Sequence, residues 1–140
     1  MQSTPRVLVV EDEPSLRYTL RRALQRTFLI DDVPDGEAAL ERMAAFDYDL
    51  VLLDVGLPGM DGYQLCEAIH ALKPRPPRIV FLTGHQGIQG RIQGRQVGAD
   101  AYLTKPFSPA ALRVELETLL STPRGTALPA SPAPESDAPQ

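Results

Sequence analysis

The sequence is poor in several features, and each shortage excludes something. It has one cysteine, Cys66, so no internal disulfide can form, which fits a reducing compartment. Its longest apolar runs are about four residues, far short of a membrane span. The opening Met1-Gln2-Ser3-Thr4-Pro5 has no basic residue followed by an apolar stretch, so no secretory signal is predicted and a cytoplasmic location is expected. A basic excess is also missing. The net charge is −4, whereas a chain that bound nucleic acid unaided would be basic. Neither direct nucleic-acid binding nor membrane contact is therefore expected. Lysine is nearly absent, with two residues against twelve arginines. A lysine ammonium is a compact charge on a flexible stem and does not substitute for a planar guanidinium, which makes the placement of Lys105 notable.

What is present reads as one ordinary globular domain. The chain has 140 residues, 43% hydrophobic and 23% charged. Short apolar strands alternate with amphipathic helices. Arg6 to Val10 is a strand, and Pro14 suits the first turn of a helix whose stripe is Leu16, Leu20, Ala23 and Leu24. Phe28 to Val33 is a weaker strand, followed by the turn Asp35-Gly36 and a short helix through Met43. Leu50-Val51-Leu52-Leu53 is a strand apolar on both faces, as parallel sheets require. A helix from about Gly62 ends before Pro74 and carries Cys66 beside Leu65, Ile69 and Leu72, so the cysteine reads as a small buried side chain. Ile79 to Leu82 and Ala101 to Leu103 are further strands, and Leu112, Leu116, Leu119 and Leu120 line a last helix. Five strands alternating with helices predict an α/β doubly wound parallel sheet. Residues 1–121 form this domain. Residues 122–140 contain five prolines and one large aliphatic, Leu128, and are expected to be a disordered tail or linker.

Four strand ends carry polar chemistry on what must be one carboxyl edge. Glu11-Asp12-Glu13 follow the first strand, Asp54 the third, Thr83-Gly84 the fourth and Lys105-Pro106 the fifth. Each has an ordinary reading alone: acids suit turns and first helical turns, threonine caps, and lysine is usually solvated. Together they describe a ligand site at the edge where open α/β sheets bind ligands. Converging carboxylates repel, so the cluster needs a cation. Hard oxygen donors suit Mg2+, which takes one or two carboxylates plus a phosphate oxygen. Thr83 and Lys105 are placed to contact an anion held by that ion.

These motifs resemble those of the receiver domain of two-component response regulators. The resemblance covers about residues 6 to 120 and rests on Val9-Val10-Glu11-Asp12-Glu13, Leu52-Leu53-Asp54 through Asp61-Gly62, Thr83-Gly84, and Gly98-Ala99-Asp100-Ala101-Tyr102-Leu103-Thr104-Lys105-Pro106-Phe107. It implies the flavodoxin-like (βα)5 sheet, strand order 2-1-3-4-5. It implies Asp54 as phosphoacceptor and Mg2+ held by Asp12, Asp54 and the Gly56 backbone carbonyl, with Glu11 acting through water. Thr83, the Gly84 N–H and Lys105 would contact the phosphoryl group, and Tyr102 would be the switch aromatic that moves inward with Thr83. The partner implied is a histidine kinase or histidine phosphotransfer protein, with an unknown downstream protein target and a possible homodimer through the switch face. The chain would then be no enzyme beyond phosphorylating and dephosphorylating itself. The Lys105-Pro106 bond is often cis in the family.

Two features depart from a simple match. Gly56 leaves the approach to Asp54 open where a larger side chain is common. The segment from His85 to Val97 holds Gly87, Gly90 and Gly94, so its helix is expected to be short, frayed or locally mobile. His70 and His85 lack partners at metal-binding spacing and read as surface or capping residues. The 140-residue length favours a stand-alone receiver or relay intermediate over the N-terminal receiver of a longer regulator. A haloacid-dehalogenase-type phosphatase would need an acid two residues after Asp54, where Gly56 stands. A flavin binder would need a phosphate loop where Glu11, Asp12 and Glu13 would repel phosphate.

Overall fold

Side-chain caps set where most of the helices begin. The computed structural model describes residues 4–84, 87–105 and 107–122. The Glu13 carboxylate accepts the Leu16 N–H at 2.7 Å and opens α1, Pro14–Leu24, with Pro14 in its first turn. Asp35 accepts from Ala38 at 2.9 Å and opens α2, Gly36–Ala45. Asp61 and Gln64 form a reciprocal capping box at α3, Gly62–Leu72. Ser108 accepts from Ala111 at 3.2 Å ahead of α5, Pro109–Ser121. Such a cap contributes about 1 kcal/mol, and here each one fixes the point at which the chain leaves the sheet edge.

The strands are β1 Arg6–Val10, β2 Leu29–Val33, β3 Leu50–Leu53, β4 Arg78–Thr83 and β5 Ala101–Thr104. All pair in parallel in the order β2-β1-β3-β4-β5, as the resemblance implied. Because side chains alternate along a strand, the sheet feeds two cores. Val7, Val9, Leu50, Leu52, Val80 and Leu82 pack against α1 and α5 through Leu20, Leu24, Leu112 and Leu116. Leu8, Val10, Val51, Leu53, Ile79 and Phe81 pack on the other face against α2 and α3 through Ala39, Met43, Leu65, Cys66 and Ile69. Burial on both faces is why these strands read as continuous apolar runs. The edge strand β2 differs: its Asp31 and Asp32 are charged and pair with Arg42 and with Arg17 and Arg21.

The structure amends several expectations. The fourth helix, α4, runs Gly87–Gln96, ten residues, and is not short despite its glycines. Thr122 belongs to the domain as the C-cap of α5, and its carbonyl accepts from the buried Arg78 guanidinium. His70 is half-buried rather than simply on the surface. Its ring packs where a Cβ on Gly98 would stand 2.7 Å away, and its Nδ1 lies 3.8 Å from Cys66 Sγ. Cys66 is fully buried, as expected. His85, the Lys105-Pro106 bond and the expected tail beyond Thr122 lie outside the described residues. Among those described, no helix is long and apolar enough to cross a membrane.

Candidate functional site

The register of β1 and β3 brings the first acids to Asp54. Val10 lies opposite Leu53, so the residues after both strands leave the sheet side by side. The Asp54 N–H donates to the Val10 carbonyl at 3.3 Å, and the Glu11 N–H donates to the Val33 carbonyl at 3.1 Å. One oxygen from each of Glu11, Asp12 and Asp54 falls in a group whose members are all within 4.8 Å of one another. Glu11 is buried, Asp54 half-buried and Asp12 exposed, so the cluster opens to solvent on one side. Glu13, the fourth acid of the region, is turned away to cap α1 and is not among these three. The Leu16 N–H holds its carboxylate below the usual range.

Lys105 reaches the same point from the far side of the sheet. Its backbone N–H donates to the Thr83 carbonyl at 2.7 Å, which continues the β4–β5 pairing past Thr104. Its Nζ lies 3.0 Å from Asp54 Oδ2 and 3.8 Å from Glu11 Oε1. Of the two lysines, this one therefore sits among the carboxylates, while Lys73 pairs with the exposed Asp47 at the other edge of the sheet. Thr83 ends β4 on the same edge and is 2% exposed. Tyr102, opposite Phe81 in β5, is also buried.

Local packing holds the Asp54 loop in place. The Gly56 N–H donates to Asp54 Oδ1 at 3.1 Å, and the Gly62 N–H donates to the Val55 carbonyl at 2.8 Å. A Cβ on Gly56 would meet nothing within 4 Å, which bears out the open approach read from the sequence. A Cβ on Gly62 would stand 2.4 Å from the Asp54 carbonyl oxygen and 2.8 Å from Val55 Cα. Gly62 is thus a residue on which the site depends; in the sequence it stood as a helix start and as the end of the Asp54 motif, with no role of its own. The cue was glycine at the first helical position, where a side chain is usually free to point outward.

Electrostatically the cluster is unbalanced. Burial pushes the Glu11 carboxyl up to about 7, against the pull of the Glu13 N–H and of Lys105. Asp54 and Asp12 add to the upward push. Three carboxylates face one ammonium, a donor set that fits a hard divalent cation with oxygen ligands.

A doubly wound five-stranded sheet with this acid–acid–hydroxyl–amine edge defines the class of phosphoryl-accepting signalling domains. The family model for the response regulator receiver domain matches residues 7–117, and the chain belongs to that family. It is 38% identical over 116 residues to the transcriptional regulatory protein ResD of Bacillus subtilis, covering 82% of this chain and 48% of that protein. It is 42% identical over 115 residues to the transcriptional regulatory protein TcrA of Mycobacterium tuberculosis, covering 81% and 45%. The chain therefore spans about half the length of these curated relatives. Among solved structures it is similar to the response regulator TrrA of Thermotoga maritima in complex with Mg2+ and a beryllofluoride, with a TM-score of 0.73 and 33% identity. That match covers 82% of this chain and 98% of the other. It is also similar to the chemotaxis response regulator CheY4 of Vibrio cholerae, with a TM-score of 0.77 and 28% identity over 84% and 99%.

Proposed function

We propose that Asp54 accepts a phosphoryl group from a phosphohistidine on a partner histidine kinase or phosphotransfer protein. The observation that carries this reading is the Lys105 ammonium 3.0 Å from Asp54 Oδ2, beside the carboxylates of Glu11 and Asp12. Asp12, Asp54 and the Gly56 carbonyl would hold Mg2+ directly, and Glu11 would act through water. The bound cation supplies charge neutralisation for the incoming phosphoryl oxygens.

The step asks the chain for position and charge more than for covalent assistance. An Asp54 carboxylate oxygen attacks phosphorus, the O–P bond forms as the P–N bond to the imidazole breaks, and the imidazole departs. Lys105 turns from the Asp54 carboxylate to a phosphoryl oxygen, and the Thr83 hydroxyl and Gly84 N–H donate to the others. Water later attacks the same phosphorus, releasing phosphate and restoring the carboxylate. The chain therefore turns over only its own phosphoryl group. The open space at Gly56 admits small donors and attacking water alike. Thr83 and Tyr102 carry the change outward as a shift between two conformations.

A second reading concerns the whole protein. The relatives are about twice as long and are named transcriptional regulators, which supports a receiver that precedes an output domain in a cytoplasmic regulator. In that arrangement the receiver ends at the α5 cap, and the proline-rich stretch beyond it is the linker. Sequencing the gene past the Gln140 codon separates this from a stand-alone receiver.

Incubation with acetyl phosphate and Mg2+ tests the central assignment. Intact-mass analysis is expected to find one phosphoryl adduct on the wild-type chain and none on Asp54→Ala. An adduct of equal yield on Asp54→Ala would falsify the assignment of Asp54.

A further inference from the structure

Three of the ten residues of α4 are glycine, and the phosphoryl site does not explain them. Two of them, Gly90 and Gly94, are buried. They lie against a ladder of aromatic rings drawn from three elements. The Tyr63 ring of α3 is 5.2 Å from Phe81 of β4, and Phe81 is 5.8 Å from Tyr102 of β5, centroid to centroid. The rings are tilted by 53° and 51°, a favourable arrangement for aromatic pairs. A Cβ on Gly94 would stand 3.0 Å from Tyr102 Cδ2 and 3.4 Å from Phe81 Cδ2. A side chain at position 94 would therefore require the Tyr102 ring to give by a few tenths of an ångström.

In principle the helix could move away to make that room. Two hydrogen bonds from α3 oppose this. The buried Tyr63 hydroxyl donates to the Gly90 carbonyl at 3.3 Å, one turn before Gly94. The Cys66 thiol donates to the Val97 carbonyl at 3.3 Å, just beyond the helix end. Burial pushes the Cys66 thiol up to about 12, so it stays protonated and remains a donor. With α4 held on both sides of Gly94, the ring is the part that must give.

We propose that Gly94 is a positioning residue of the switch: its missing side chain leaves the recess that keeps the Tyr102 ring inward, and α3 holds α4 so that the recess keeps its width. The regulatory half of this rests on the reading of Asp54 as phosphoacceptor and Tyr102 as its readout. In that reading the phosphoryl group and the inward ring favour one another. A side chain at position 94 then weakens phosphoryl binding at Asp54 without touching the site, because coupling between two positions is reciprocal.

The test uses the full chain as wild type, Gly94→Ala, Tyr63→Phe and the double variant. Ring-proton NOEs between Tyr102 and Phe81 are measured without beryllofluoride. They are expected to weaken or vanish in Gly94→Ala and to return in the double variant, where freeing the Gly90 carbonyl lets α4 move outward. With saturating Mg2+, Gly94→Ala is expected to bind beryllofluoride about five-fold or more weakly than wild type. Unchanged NOEs in Gly94→Ala overturn the recess, and equal loss in the double variant overturns the role of α3. Wild-type protein that takes up no beryllofluoride overturns the Asp54 reading instead, and the NOEs still decide the recess. If Gly94→Ala does not fold, Tyr63→Phe alone decides the matter. Faster amide exchange in α4 supports the pinning, and exchange equal to wild type overturns it.

Discussion

Glu11 is the residue of the acidic cluster that burial perturbs. Its carboxyl is 3% exposed and is raised from 4.5 to about 7, first by burial. The sign of the consequence follows from linkage. An acid whose folded value is raised above its unfolded value contributes stability fully below about 4.5, and that contribution is lost as pH rises through about 7. The difference amounts to on the order of 3 kcal/mol at full ionisation. Metal-free protein is therefore expected to lose melting temperature between about pH 5 and pH 7.5, and Glu11→Gln should flatten that slope. Mg2+ should also reduce the loss, because a cation favours the ionised carboxylate. Thermal melts across this range, with and without Mg2+, check it; a wild-type slope as flat as that of Glu11→Gln would sink the account.

At the scale of elements, α2 and α3 both begin with glycine, for different reasons. A Cβ on Gly36 at the start of α2 would meet the flexible Met60 thioether, with Sδ at 3.2 Å. A Cβ on Gly62 at the start of α3 would meet the backbone of Asp54 at 2.4 Å. Side chains yield where backbone does not. Gly36→Ala should therefore change stability by less than about 1 kcal/mol, the range of a tolerated helix substitution. Gly62→Ala should cost about 1–3 kcal/mol, as overpacking does, and should slow labelling by acetyl phosphate because the Asp54 loop must shift. Urea titration together with the labelling rate checks the pair, and equal costs for the two would contradict the argument. The same contrast of yielding and unyielding neighbours sets α4 apart: its glycines looked like a source of fraying, yet one of them, Gly94, is where the aromatic ladder needs room.

Across the whole molecule, one buried arginine ties the last helix to the sheet. Arg78 opens β4, lies 4.0 Å from the Asp100 carboxylate and donates to the Thr122 carbonyl at the end of α5. Asp100 in turn accepts the Ile79 N–H at 2.8 Å, so the start of β4, the start of β5 and the close of α5 share one polar cluster. Removing the guanidinium deprives the Thr122 carbonyl of its donor and Asp100 of its neighbouring cation, at about 1–3 kcal/mol. Arg78→Leu is expected to cost that much in denaturant unfolding and to speed amide exchange at the α5 C-terminus. A variant within about 0.5 kcal/mol of wild type, the range of an ordinary surface change, would show the cluster to be incidental.

The sequence by itself determined the sheet and its class. Leu50 to Leu53 and Ile79 to Leu82 are apolar on both faces because helices cover both faces, and that pattern survives in one dimension. It also determined which residue types reach the carboxyl edge, since every strand of a parallel sheet ends on the same side. The tertiary structure alone decided distances and partners. Asp54 and Lys105 are 51 residues apart in the chain, and only the β3–β4 and β4–β5 pairings bring that ammonium to 3.0 Å from that carboxylate. The division of labour among the acids was likewise invisible: Glu13 turns to cap α1 while its neighbours Glu11 and Asp12 join Asp54. Gly62, Gly94 and Arg78 were opaque for the same reason. What each does depends on atoms contributed by a different element, and local propensity carries no record of those.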